Sequence, residues 1–161
     1  MSAISIVIVT YNSGQFIEDC LDSISGQTSK EFEVIIVDNN STDKTLEVIM
    51  QKLPDVRLIS NRENFGFSRA VNQGIEYSGG EFILILNSDI VLREDFIHKL
   101  KNMFLLLPEN VGMISPKLLQ MDKQRIDSAG LVLSKTRRFY DRGRGDIDLG
   151  QFDIKQDIQD V

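Results

Sequence analysis

The sequence holds one cysteine, one histidine, three prolines and no tryptophan in 161 residues. A single cysteine excludes an internal disulfide and a thiolate metal cluster. Cys20 falls among Phe16, Leu21 and Ile24 at helical spacing and reads as a small buried hydrophobe. His98 lies off the apolar stripe of its segment and reads as a surface residue rather than a general base. No apolar run reaches the roughly 18 residues of a membrane span, and the opening MSAISIVIVTYN lacks the basic start of a signal peptide. The expectation is a cytoplasmic protein, or the cytoplasmic domain of a longer one. Basic charge is also short, with 18 Lys and Arg against 24 Asp and Glu and a net charge of -6. That balance argues against nucleic acid as a partner, because neutralising phosphates needs a basic face. Arg137, Arg138, Arg142 and Arg144 form only a local basic cluster.

What is present alternates. Ile4–Thr10 is a β-branched run with turn residues behind it, the pattern of a strand buried on both faces. Phe16, Cys20, Leu21 and Ile24 predict a helix from about Gly14 to Ser25. Phe32–Val37 reads as a second buried strand. Ser41 or Thr42 is the expected cap of a helix striped by Leu46, Ile49, Met50 and Leu53, with Pro54 just beyond it. Val56–Ser60 reads as a third strand and Asn61–Phe67 as a polar loop. Ala70, Val71, Gly74 and Ile75 mark a third helix, ended by Gly79-Gly80. Glu81–Leu86 reads as a fourth strand, and Phe96, Leu100, Met103, Phe104 and Leu107 stripe a fourth helix. Val111–Ile114 and Leu131–Leu133 are weaker strand candidates. The closing stretch Asp146–Val161, with five aspartates and one lysine, is expected to be poorly ordered by itself.

This βαβαβαβ order predicts a three-layer α/β/α domain on a mostly parallel sheet. In such sheets ligands sit beyond the carboxyl ends of the strands, near the switch in strand order. Four polar clusters follow strands directly: Thr10-Tyr11-Asn12, Asp38-Asn39-Asn40, Asn61–Asn64 and Asn87-Ser88-Asp89. One sheet edge would therefore gather carboxylate and amide side chains from four strand ends.

The segments SIVIVTYN (Ser5–Asn12), EVIIVDNNSTDKT (Glu33–Thr45), NRENFGFSRAVNQGI (Asn61–Ile75) and FILILNSD (Phe82–Asp89) resemble, in order and spacing, family 2 glycosyltransferases, most closely the rhamnosyltransferase-like branch. DSAG (Asp127–Gly130) and RRFYDRGRG (Arg137–Gly145) resemble the same branch more weakly. The resemblance implies the GT-A (nucleotide-diphospho-sugar transferase) fold over residues 1–161, with a nucleotide-binding core in 1–90 and the start of an acceptor half in 91–161. It implies inverting transfer of a hexose-type sugar from dTDP-rhamnose or a UDP-sugar to a glycan or lipid-linked acceptor, as in polysaccharide biosynthesis. A lipid-linked acceptor would be met at the inner face of the membrane.

The chemistry of such a donor explains the residue types. A base edge with an imide N–H wants a carboxylate acceptor, which Asp38 supplies at a strand end; its other reading is a cap on the following turn. Thr10 and Tyr11 would border the base, with Asn12 and Asn40 beside them. A diphosphate leaving group needs a cation. Asn87-Ser88-Asp89 departs from the usual Asp-x-Asp at its first position, so Asp89 is the expected ligand of Mg²⁺ or Mn²⁺, with Asn87 on ribose or sugar hydroxyls and Ser88 a further donor-binding residue. Asn64, Arg69 and Asn72 belong to a loop and helix start that favour anions, with Arg69 nearest the diphosphate or sugar.

An inverting transferase also needs a carboxylate that deprotonates the acceptor hydroxyl. The family places it in a Glu-Asp motif well downstream, and no such segment follows Leu131. The expectation is a chain cut short of its catalytic base, for which no residue is named. Neither G-x-G-x-x-G nor G-x-x-x-x-G-K-[ST] is present, which sets aside dinucleotide dehydrogenases and P-loop nucleotidases. The remaining rival is a non-catalytic domain that binds nucleotide sugars or partners.

Overall fold

The computed structural model describes residues 4–108 and 110–153. They fall in two compact units, one up to Leu107 and one from Pro108 onward.

The first unit alternates β1 (Ile4–Thr10), α1 (Ile17–Ser25), β2 (Phe32–Asp38), α2 (Thr45–Lys52), β3 (Arg57–Ser60), α3 (Phe67–Glu76), β4 (Phe82–Asn87) and α4 (Phe96–Leu106). Its four strands form one parallel sheet in the order β3-β2-β1-β4. The chain steps outward from β1 through β2 to β3, then returns to the other side of β1 for β4. The switch in order therefore lies between β1 and β4.

Strand pairing sorts the side chains into two faces. Ile4, Ile6 and Ile8 stand opposite Phe32, Val34 and Ile36 on one side and Phe82, Leu84 and Leu86 on the other. This face packs on Ile17, Cys20, Leu21 and Ile24 of α1, Ile49 of α2 and Ile97 of α4. The opposite face, with Val7 and Val37, receives α3. There Gly74 brings the helix so close that a Cβ would lie 2.3 Å from Val7 Cγ1. Three layers result, α1, α2 and α4 on one side and α3 on the other. Burial of these aliphatic side chains, about 25 cal/mol per Å² of apolar surface, is the main stabilising contribution.

The helix starts differ from the sequence expectation. α1 begins at Ile17 rather than Gly14, after a turn in which Ser13 O accepts from the N–H groups of Phe16 and Ile17. α2 is capped by neither Ser41 nor Thr42. Ser41 is drawn to Asp38 and Thr42 to Asn12, while Asp43 Oδ1 accepts the N–H of Thr45 at 3.0 Å. Tertiary partners have taken the hydroxyl and amide that would otherwise have served the helix.

The second unit holds two small antiparallel ladders, β5 (Leu118–Leu119) with β6 (Ile126–Ser128) and β7 (Leu131–Leu133) with β8 (Phe139–Asp141). Leu131–Leu133 is thus a strand as expected, whereas Val111–Ile114 is not. In that segment Met113 is 86% exposed and no described strand lies alongside to supply backbone partners. Lys117 is clamped between Asp148, at 2.8 Å, and Asp153, at 2.5 Å. Of the acidic closing stretch, Ile154–Val161 lies outside the described residues. Among the described residues no helix is long and apolar enough to cross a membrane.

Candidate functional site

The carboxyl ends of the four strands bring the polar clusters to one edge. Thr10 is paired with Asp38, Asp38 with Ser60, and Val9 with Asn87, so the strands end nearly level. The backbone ladder continues one residue further, Asn39 N–H donating to Thr10 O and Asn61 N–H to Asp38 O, each at 2.8 Å.

Asp38 is fully buried. Its Oδ1 accepts the Thr10 hydroxyl at 2.8 Å and the Ser41 hydroxyl at 2.5 Å, while its Oδ2 accepts the Ser41 N–H at 2.9 Å. The carboxylate thus closes the turn that follows β2 and ties it to β1. A buried carboxylate needs such donors, since desolvation without them is costly.

Asn12 and Asn40 both adopt left-handed backbone, with φ of 49° and 66°, a conformation that asparagine tolerates better than most residues. Asn12 also stitches the β1 loop to the β2 loop. Its N–H donates to Ser41 Oγ, and its Oδ1 accepts the Thr42 N–H, both at 2.9 Å. Ser13 and Gly14 extend the seam: Ser13 N–H donates to Thr45 Oγ1 at 2.8 Å and Gly14 N–H to Asp43 Oδ2 at 3.0 Å. The Thr45 hydroxyl, followed by the N–H groups of Thr45 and Gly14, holds the Asp43 carboxyl below its ordinary value. Tyr11, between these anchored residues, stays about half exposed.

Just past β4, Ser88 donates its hydroxyl to Ser13 Oγ at 2.9 Å, joining the fourth cluster to the first. Asn87 and Asp89 are exposed. Burial first, and the nearby Asp89 charge second, push the Cys20 thiol up to about 12. Cys20 is therefore a buried neutral thiol beneath this loop, as its sequence context suggests. His98 is exposed on α4, with its Nε2 3.0 Å from Asn102 Nδ2. Among the described residues no three His, Cys, Asp or Glu side chains gather as a metal cage. Asp89 fits a cation only if a bound diphosphate supplies further oxygens, which suits hard cations that keep waters and phosphate ligands.

The loop before α3 is built around Gly66, whose φ of 80° needs glycine. Its N–H donates to Asn64 Oδ1 at 2.9 Å. Arg69, on the first turn of α3, lays its guanidinium over the Phe65 ring at 3.9 Å from the centroid. Asn72 is exposed on α3. Sequence reasoning gave no site role to Ser13, Ser41, Asp43 and Gln73, and placed Asn39 and Asn61 only within the polar strand-end clusters. The loops that carry them were legible, but their pairing across loops was not.

This mostly parallel α/β arrangement, with polar loops along its carboxyl edge, is the fold of GT-A glycosyltransferases. Residues 5–143 match the family described as Glycosyl transferase family 2, and the chain belongs to that family. It is 35% identical over 100 residues to glycosyltransferase GlyG of Streptococcus pneumoniae serotype 4, covering 60% of this chain and 33% of that protein. It is 39% identical over 93 residues to a PGL/p-HBAD biosynthesis glycosyltransferase of Mycobacterium bovis, covering 56% of this chain and 36% of that protein. The chain thus spans about a third of the length of these curated relatives. Among solved structures, the mannosyltransferase PcManGT from Pyrobaculum calidifontis, in complex with GDP-Man and Mn²⁺, superposes with a TM-score of 0.63 at 27% identity, covering 73% of this chain and 36% of that one. TarS of Staphylococcus aureus in complex with UDP gives 0.60 at 22% identity over 74% and 42% of the two chains, a likeness of fold.

Proposed function

We propose that the carboxyl edge of this sheet binds the nucleoside diphosphate of a sugar donor, dTDP-rhamnose or a UDP-sugar, as one part of an inverting hexosyltransferase that acts on a glycan or lipid-linked acceptor. The observation that carries this reading is the stitched edge itself, where Thr10 and Asn12 are linked to Asp38, Ser41 and Thr42 between the β1 and β2 ends, and Ser88 to Ser13 across the switch in strand order between β1 and β4. The GDP-Man and Mn²⁺ of PcManGT support a nucleotide sugar and a divalent cation as the ligands of this edge.

In this reading Tyr11 offers its half-exposed ring to the base. Asp38 holds Thr10 and Ser41 in place, and its Oδ2, which has one donor, retains an acceptor site for the imide N–H. Because Asp38 is buried, base entry displaces part of the Tyr11–Asn12 or Asn40–Ser41 backbone. Asn12 and Asn40 lie beside the base, and Asn87 beside ribose and sugar hydroxyls. Asn64, Arg69 and Asn72 border the diphosphate, where the guanidinium and the start of α3 favour negative charge. Asp89 would hold Mg²⁺ or Mn²⁺, and a bound ion would offset the charge that develops on the leaving diphosphate. The base that activates the acceptor belongs to no residue named here.

Calorimetric titration of UDP and of dTDP, each with and without Mn²⁺, tests the reading on this chain and on Asp89→Ala. Metal-dependent binding that the variant loses supports it. Binding of neither nucleotide under any condition overturns it for this chain.

A further inference from the structure

Four side chains on three elements form a single run of amide hydrogen bonds beside the proposed donor edge. Gln73, on α3, makes a reciprocal pair with Asn61, just past β3: Gln73 Nε2 donates to Asn61 Oδ1 at 3.0 Å and Asn61 Nδ2 donates to Gln73 Oε1 at 2.9 Å. Asn61 Nδ2 also donates to Asn39 Oδ1 at 2.9 Å, just past β2. Asn39 Nδ2 then donates to the carbonyl of Gly66 at 3.3 Å, at the start of α3. Asn64 closes the run by accepting the Gly66 N–H.

The polarity of this run is fixed. Asn39, Asn61 and Gln73 each donate and accept, and turning any one of them would set N–H against N–H. The helix does not need Gln73 for packing, since Ala70, Val71 and Gly74 already bury its sheet-facing side. Gln73 stands one turn after Arg69, so both lie along one strip of the helix. Fixing Gln73 to Asn61 thus fixes the rotation of the first turn and the point from which Arg69 departs.

We propose that Gln73 is a positioning residue which, through Asn61 and Asn39, holds the Gly66 loop and Arg69 in the geometry that binds the donor's diphosphate. The inference rests on the donor-edge reading above. Gln73 need not touch the donor, and its effect passes through Arg69.

The test is UDP binding with Mn²⁺, by calorimetry, for the chain, Gln73→Leu, Arg69→Ala and the double variant. Amide hydrogen exchange across residues 64–69 and a melting curve are recorded on each. Gln73→Leu should weaken UDP about tenfold and speed exchange in the loop, and in the Arg69→Ala background its effect should shrink to about twofold or less. Gln73→Glu, which keeps one acceptor for Asn61 and loses the donor, should fall between. Unchanged affinity or unchanged exchange in Gln73→Leu overturns the proposal and leaves the donor-edge reading standing. Equal losses in both backgrounds also overturn it, since a merely structural role gives that result. No UDP binding by the unaltered chain overturns the donor-edge reading and this proposal with it.

Discussion

Thr10 donates its hydroxyl to Asp38 Oδ1 at 2.8 Å, across the last paired residues of β1 and β2, with both side chains buried. Thr10→Val keeps the shape and removes that donor from a buried carboxylate. The expected cost is about 1–3 kcal/mol of stability, the range for a buried polar group that loses a partner. Urea unfolding of the two chains measures it, and a loss below about 0.5 kcal/mol would mean that the Ser41 donors suffice.

Asn40 separates a backbone role from a ligand role. At φ 66° a glycine fits, whereas a β-branched residue is strained. Asn40→Gly should stay within about 0.5 kcal/mol of the parent, and Asn40→Val should lose about 1–2 kcal/mol. If the side chain also meets the donor, Asn40→Gly weakens UDP binding at unchanged melting temperature.

Gly74→Ala should be costly, since the new Cβ would lie 2.3 Å from Val7 Cγ1 and 3.4 Å from Val37 Cγ2. The helix must lift from β1 or Val7 must leave its rotamer, at about 1–3 kcal/mol for overpacking. Gly74→Ala paired with Val7→Ala should recover part of the loss in the same unfolding experiment.

Acid stability should report on Glu33. The Ser5 hydroxyl first, and the Gly79 N–H second, hold its carboxyl below the ordinary value. A carboxyl lowered in the folded state stabilises above its unfolded pKa, about 4.3. That contribution is lost as pH falls through the folded value. Glu33→Gln should therefore flatten the fall in melting temperature below about pH 4.5, and an unchanged profile would remove Glu33 from the account.

Cys20 gives the opposite sign and a kinetic readout. With its thiol raised to about 12 by burial and then by Asp89, its contribution is whole below the ordinary thiol value and fades as pH climbs toward the folded one. At neutral pH a disulfide reagent should label Cys20 only as fast as the chain opens. Labelling as fast as in urea would contradict its burial.

The fold was largely legible because Ile4–Thr10, Phe32–Val37 and Phe82–Leu86 are nearly continuous aliphatic runs that only a sheet covered on both faces accommodates. Their polar ends pointed to one edge for the same reason. What the sequence hid were contacts between loops some thirty residues apart. Ser41 reads as a helix cap until Asp38 and Asn12 are known to claim it. Asn39, Asn61 and Gln73 are ordinary polar residues one at a time, and only the order β3-β2-β1 with α3 overhead brings them together. Val111–Ile114 failed in the other direction, since local apolarity supplies no neighbouring strand.

The seam that joins Asn12, Ser13 and Gly14 to Ser41, Thr42, Asp43 and Thr45 has a bearing on protein engineering. Grafting the loop after β1 from a relative, without its partner after β2, severs hydrogen bonds on both sides at once. The two loops are one transplantable module, and chimaeras that exchange them together should fold where single exchanges fail.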